Sequence, residues 1–209
     1  MRAKGRFIAL EGGEGVGKST QGRLLAEALH RQGHEVVTTR EPGGTAGAEA
    51  IRAMVLGTEG DGWGARAEAL LFAAARADHV ERLILPAIAR GAWVVCDRFV
   101  DSSRAYQGGG GGLSDADVLD LHRIGSGALM PDVTLLLTVP PEVAAERLAR
   151  RDGGLADRIG GRDADYHARV AAAFVAFARS SPERFAIIDA QGTPDEVHER
   201  VMAAVGGLA

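Results

Sequence analysis

The sequence contains no asparagine, one cysteine (Cys96) and only two lysines, Lys4 and Lys18. Each scarcity excludes something. A lone cysteine cannot close an internal disulfide, which suits a reducing compartment. GTP-binding proteins usually read guanine with an N-K-x-D segment, and a chain without asparagine or any lysine beyond position 18 holds none. No apolar run approaches the roughly 20 residues of a membrane span. Residues 1–5 lead straight into a strand-like segment with no cleavable-signal pattern, so a cytoplasmic home is the expectation. The net charge of -4 leaves no basic field over the surface, which counts against a nucleic-acid binder relying on many phosphate contacts. Arginine supplies nearly all of the 24 basic residues, as a G/C-rich coding bias would produce, so its abundance signals nothing. A lysine retained at position 18 is more telling.

What is present reads as one domain over residues 1–209, with 46% hydrophobic and 25% charged residues, no internal repeat and no long linker. Strand-like and helix-like segments alternate. Residues 6–11, 35–40, 93–97, 133–139 and 185–189 are apolar or β-branched runs. Residues 17–32, 48–56, 66–90, 141–151, 165–180 and 193–205 carry helical spacing, with Pro86 marking a kink or break in the third. Thr193-Pro194 supplies an N-cap and a first-turn proline. Strands apolar on both faces and separated by helices predict a parallel sheet covered on both sides. Ligands of such folds bind beyond the carboxyl ends of the strands. Residues 12–19, 40–41, 97–98 and 189–190 all fall just there.

Gly12-Gly13-Glu14-Gly15-Val16-Gly17-Lys18-Ser19 fits G-x-x-x-x-G-K-[ST] between a strand and a helix, with Thr20 following. Glycines let the loop wrap so that backbone N–H groups point at phosphate oxygens. The helix N-terminus adds positive partial charge. Lys18 can reach the β- and γ-phosphates and the Ser19 hydroxyl can ligate Mg²⁺. This implies a nucleoside triphosphate with Mg²⁺ and no more, since many activities share the loop.

Three further segments narrow it. Thr39-Arg40-Glu41-Pro42-Gly43-Gly44 follows the second strand, and Phe72 and Arg76 lie one helical turn apart. Asp97-Arg98 ends a buried strand in two charges that need partners, and Ser102-Ser103-Arg104-Ala105-Tyr106-Gln107-Gly108 follows. With the phosphate loop, these closely resemble bacterial thymidylate kinase, over residues 7–190. The resemblance implies a P-loop three-layer α/β fold with a five-stranded parallel sheet in the order 2-3-1-4-5 and helices on both faces. It implies ATP and dTMP as the two substrates, Mg²⁺ as cofactor, no nucleic-acid or membrane partner, and a homodimer.

It also implies roles. Arg98 would clamp the acceptor phosphate, Phe72 would stack on thymine, and Arg76 would donate to a base carbonyl. Ser103 and Gln107 would hold other polar edges, with Ser102 and Tyr106 alongside. Arg52, which alone reads as a solvated helix face, and Glu41 would border the acceptor site. Glu14 would take the sugar 3′-hydroxyl, Asp97 would steer Mg²⁺ through water, and Ala190 would border the donor. Residues 150–163 would form a mobile lid, with Arg147, Arg150, Arg151 and Arg158 around it; Arg151 and Arg158 join Glu14, Lys18, Asp97 and Arg98 as the catalytic candidates. Thymidylate kinases carry a catalytic arginine either in the phosphate loop or in the lid. Gly15 here, with Asp157-Arg158-Ile159, matches the lid type, although Gly160 stands where the family often has glutamate. The rivals are another nucleotide or deoxynucleoside kinase and a P-loop regulator that hydrolyses ATP without an acceptor. The six histidines lack metal-ligand spacing, Cys96 reads as a small core residue, and residues 108–112, all glycine, read as a mobile loop.

Overall fold

The computed structural model describes residues 5–57, 62–152 and 157–208, with Arg151 and Asp152 described by backbone alone. Five parallel strands, β1 (Arg6–Glu11), β2 (Val36–Arg40), β3 (Trp93–Asp97), β4 (Val133–Thr138) and β5 (Phe185–Asp189), form one sheet in the order β2-β3-β1-β4-β5. The central strand β1 is buried on both faces, so its side chains alternate between two apolar layers. Ile8 and Leu10 pack with Leu25 and Leu29 of α1 (Lys18–Arg31) and Val197 and Val201 of α9 (Pro194–Val205). Phe7 and Ala9 enter the opposite layer with Cys96, Ile84 and Phe99. The expected order and the helices on both faces are those observed.

Strand register gathers the loops. Leu10 and Arg40 both pair with Asp97, so three chain segments leave the sheet side by side. Backbone bonds extend this union by one residue: Arg98 N–H donates to Leu10 O and Glu41 N–H to Asp97 O, both at 2.9 Å.

The remaining helices are α2 (Ala46–Leu56), α3 (Ala65–His79), α4 (Leu85–Ala89), α5 (Val100–Ser103), α6 (Asp115–Ser126), α7 (Pro141–Asp152) and α8 (Ala164–Ser180). Pro86 neither breaks nor sharply ends its helix. A π-helical turn, Val80–Ile84, immediately precedes α4, and the Leu85 N–H reaches back to Val80 O. The extra residue absorbs the disturbance that proline imposes on the helical ladder.

The first three of the five glycines are not the loop expected of them. Gly108, Gly109 and Gly110 belong to a π-helical segment, Arg104–Gly110, and Gly108 is buried. Here the absence of side chains serves close packing: a Cβ on Gly109 would strike Ala173, and one on Gly110 the Tyr166 ring, both on α8. Tyr166 Oη donates to Tyr106 O at 2.9 Å and Arg169 to Gly110 O at 3.2 Å, fastening the segment to α8. Helix α6 has no counterpart among the expected elements, although Ser114 caps it by accepting from Asp117 N–H.

Behind this segment Asp101, fully buried, accepts from both Nη atoms of Arg184 at 2.5 and 3.0 Å and from Arg104 at 2.9 Å. The Arg104 guanidinium carbon lies 3.9 Å from the centre of the Phe177 ring. Asp101→Ala strands the mostly buried Arg184 and leaves Arg104 with Asp115 as its remaining carboxylate. It should cost about 3–5 kcal/mol, read as a lower urea midpoint at unchanged m-value.

Candidate active site

At the carboxyl edge of the sheet lies a cleft of about 550 Å³, lined by Glu14, Lys18, Ser19, Phe72, Arg76 and Arg98 among others. The loop before α1 takes its shape from glycine: Gly12, Gly15 and Gly17 have φ of 133°, 74° and 97°, a region costly for other residues. At Gly15 crowding adds to this, since a Cβ would come within 2.6 Å of Ala144 O and 3.1 Å of Leu148 on α7. An arginine side chain does not fit there, in agreement with the lid-type expectation. Helix α1 begins with no side-chain cap, so its first N–H groups remain available to an anion.

Lys18 is buried and donates to Gly12 O at 3.1 Å and Gly13 O at 2.6 Å. Arg98 Nη1 donates to the same Gly12 O at 3.1 Å, though it comes from the loop beyond β3. The two cations therefore converge on one carbonyl. Burial and the neighbouring Arg98 charge push the Lys18 ammonium down to about 8. Cations so placed, with a helix N-terminus beside them, form a receptor for a polyanion.

Arg98 owes its position to an unusual backbone, φ 71°, in the left-handed region. Such strain persists only where surroundings enforce it. The enforcing group is Glu11, the last residue of β1. Its carboxylate accepts from Phe99 N–H at 2.8 Å, Ser102 N–H at 3.1 Å and Ser102 Oγ at 2.6 Å. The Arg98 guanidinium then reaches Glu14 at 2.5 Å and Ser102 Oγ at 3.1 Å and lies over the Tyr106 ring. Burial, then the charge of Asp101, push the Glu11 carboxyl up to about 7 against those hydrogen bonds.

The opposite wall is α3. Phe72 is nine-tenths buried against Val55, Tyr106 and Ile159 yet still lines the cleft. Arg76 donates through Nε to Glu41 at 2.7 Å and through Nη2 to Ser103 Oγ at 2.7 Å and Phe99 O at 3.4 Å. Its Nη1 has no partner among the described residues. Glu41 is held from behind by His79 Nδ1 at 3.1 Å, and His79 Nε2 meets Thr39 Oγ1 at 2.7 Å. Gln107, Ser102, Ser103 and Tyr106 also line the cleft, as does Arg52, half-buried, with its Nη1 on Pro42 O at 2.7 Å.

Beside the glycine loop Ser19 Oγ donates to Asp97 Oδ2 at 2.7 Å. Among the described residues no group of three or more His, Cys, Asp or Glu could hold a metal, so a cation here would depend on this hydroxyl–carboxylate pair and on oxygens from elsewhere. Val16 is a core residue, and Gly12 and Gly13 turn their carbonyls inward. Ala190 is buried; its carbonyl accepts from Arg147 Nη2 at 3.0 Å. Arg147 lines the cleft beside the glycine loop. Arg158 is not among the lining residues: its Nε donates to Gly57 O at 2.6 Å, at the end of α2. Its neighbours Asp157 and Ile159 do face the cleft. The side chain of Arg151, and residues 153–156 of the expected lid, lie outside those described. Gly160, in place of glutamate, makes its contact through the backbone, donating to Asp157 Oδ1 at 2.7 Å.

Sequence reasoning passed over Glu11 and Glu68. The rule that drew attention to Asp97-Arg98, charge at the end of an apolar strand, applies equally to Glu11. Glu68 stands four residues before Phe72 on the same helical stripe.

Two titrations should mark the stability of the protein. From about 4.5 to 7 the folded chain retains the Glu11 proton that the unfolded chain releases, so this group's share of stability falls as pH rises. From about 8 to 10.5 the unfolded chain retains the lysine proton that folded Lys18 gives up, so its share rises with pH. Lys18→Met should remove the alkaline rise and leave the acid-side slope, read from urea midpoints across both windows. An unchanged alkaline rise would contradict the burial of an ammonium at this point.

Comparison with known proteins agrees with this geometry. The family profile described as thymidylate kinase matches residues 10–201. The thymidylate kinase of Rhizorhabdus wittichii is 57% identical over 204 residues, spanning 98% of each chain. That of Bradyrhizobium sp. (strain BTAi1) is 50% identical over 97% of this chain and 90% of its own. The crystal structure of thymidylate kinase from Ehrlichia chaffeensis superposes with a TM-score of 0.79 at 30% identity, covering 97% of this chain and 99% of that one. With its sheet order, its phosphate loop and its opposed arginine all in one cleft, this chain belongs to the thymidylate kinase family.

Proposed function

We propose that the chain transfers the γ-phosphoryl group of ATP to dTMP, giving dTDP and ADP. The observation that carries this is the convergence of Lys18 and Arg98 on the Gly12 carbonyl. One cation belongs to a triphosphate loop and the other to a separate arm, so two phosphates are gripped within reach of each other. Phe72 and Arg76 behind Arg98 supply a ring platform and a guanidinium donor for the base of the second nucleotide.

No general base is needed. The attacking atom is a phosphate oxygen with a second pKa of about 6, already largely dianionic at pH 7. The obstacle is the repulsion between two polyanions, and catalysis consists mainly of positioning and charge stabilisation. Lys18 and Arg98 supply charge from below, and Arg147 lies beside the loop on the lid side. The roles of Arg151 and Arg158 at the transferring group remain part of this proposal and would require the lid to close over ATP. Glu14, already joined to Arg98, would take a sugar hydroxyl. Ser19 and Asp97 suit Mg²⁺, which favours oxygen ligands and keeps several waters. Ser19 would bind the ion and Asp97 would hold its water. The ion would neutralise charge on the β- and γ-phosphates. The net charge of -4 argues against nucleic acid as a partner, and among the described residues no helix is long and apolar enough to cross a membrane. A cytoplasmic homodimer completes the proposal, supported by family resemblance.

Coupled measurement of ADP formation with dTMP, dUMP, dCMP, AMP and thymidine as acceptors tests the assignment. dTMP should be preferred, and thymidine, lacking a phosphate for Arg98, should be inert. Equal ADP formation with no acceptor would overturn it. Arg98→Ala should raise the KM for dTMP by roughly one to two orders of magnitude and leave that for ATP nearly unchanged. Lys18→Ala should abolish transfer with the fold intact.

A further inference from the structure

Glu68 lies one turn before Phe72 and two before Arg76 on α3, yet it is only 2% exposed and stands behind the cleft wall. Its carboxylate serves two partners. Oε2 accepts from Arg162 Nη2 at 2.5 Å, and Oε1 accepts from Gln107 Nε2 at 3.0 Å. The Arg162 guanidinium is fixed in turn over the Tyr166 ring, 4.6 Å from its centre. A carboxylate in an ion pair offers lone pairs only. The Gln107 amide can therefore face Glu68 only with its NH₂ end. Its other end, Oε1, has no partner among the described residues and belongs to a side chain that lines the cleft. Turning the amide over would set two acceptors against each other in a buried place, a heavily penalised arrangement.

We infer that Glu68, clamped by Arg162, is a positioning residue that sets base specificity by locking Gln107 as a hydrogen-bond acceptor toward the second nucleotide. A base matched to that site must offer a ring N–H beside a carbonyl, the carbonyl taking the Nη1 of Arg76. Thymine and uracil carry N3–H next to O4. Cytosine carries a lone pair at N3 and an amino group at C4, so it meets acceptor with acceptor and donor with donor. The inference rests on reading the cleft as a dTMP site.

Glu68→Gln keeps the shape and replaces the all-acceptor group with one that also donates, so the Gln107 amide can present either end. The ratio of kcat/KM for dTMP to that for dCMP should fall at least about tenfold, because a buried polar mismatch is what enforces such discrimination. The KM for ATP should stay unchanged. In a Gln107→Leu background the same substitution should leave the ratio where it was, since no amide remains to be oriented. An undiminished ratio in a variant that melts like the parent would overturn the inference, as would an equal fall in the Gln107→Leu background. If Glu68→Gln does not fold, Arg162→Gln releases the clamp from outside the core and the same ratio decides: a fall supports the inference and no change refutes it. Failure of the parent enzyme to prefer dTMP over dCMP would instead count against the functional reading.

Discussion

The carbonyl oxygen of Gly12 is the point on which this molecule turns. Lys18 reaches it from the first turn of α1 and Arg98 from the loop beyond β3, each at 3.1 Å. A buried ammonium and a mostly buried guanidinium share one neutral acceptor, and burial together with the Arg98 charge holds the Lys18 ammonium down. On the proposed function, phosphates held at Lys18 and a second phosphate held at Arg98 would thereby come within reach of one another. The sheet register makes the encounter possible. Leu10, Asp97 and Arg40 stand in one row across three strands, so the glycine loop, the arginine arm and the Arg40-Glu41 turn leave the sheet together.

Around that point the polar groups are arranged in depth. Glu11 holds the left-handed backbone of Arg98 through two N–H groups and the Ser102 hydroxyl. Glu41, backed by His79 and Thr39, fixes Arg76. Glu68, backed by Arg162, fixes Gln107. In each case a buried carboxylate supports a residue at the cleft, leaving it one orientation. Buried carboxylates are costly unless well paired, and three of them, Glu41 in the wall and Glu11 and Glu68 behind it, describe a site in which pre-organisation outweighs stability.

The amino-acid sequence revealed those parts of the fold and site whose physics is local. The glycine loop is legible because its spacing admits few backbone conformations. Asp97-Arg98 is legible because charge at the end of an apolar strand demands a partner. The alternation of strands and helices sets the layers, and Thr193-Pro194 marks the start of α9, where Thr193 is the observed cap. What was illegible depends on distance along the chain. Glu68 draws its meaning from Arg162, 94 positions away, and no periodicity reports that pairing. The five glycines resemble a loop because flexibility is the usual reason for glycine; at Gly109 and Gly110 the reason is the close approach of α8. The presence of Arg147 in the cleft, and of Arg158 at the end of α2, follows from how α7 and residues 157–161 dock. A common bias toward arginine across the chain concealed which of these side chains matter.

The central claim is that donor and acceptor phosphates meet over one carbonyl and a single phosphorus passes directly between them. The most direct test is the stereochemical course of transfer from ATP made chiral at its γ-phosphorus with oxygen isotopes to dTMP. One in-line displacement in a shared cleft predicts inversion at phosphorus. Retention would mean two displacements through a phosphorylated side chain and would contradict the account.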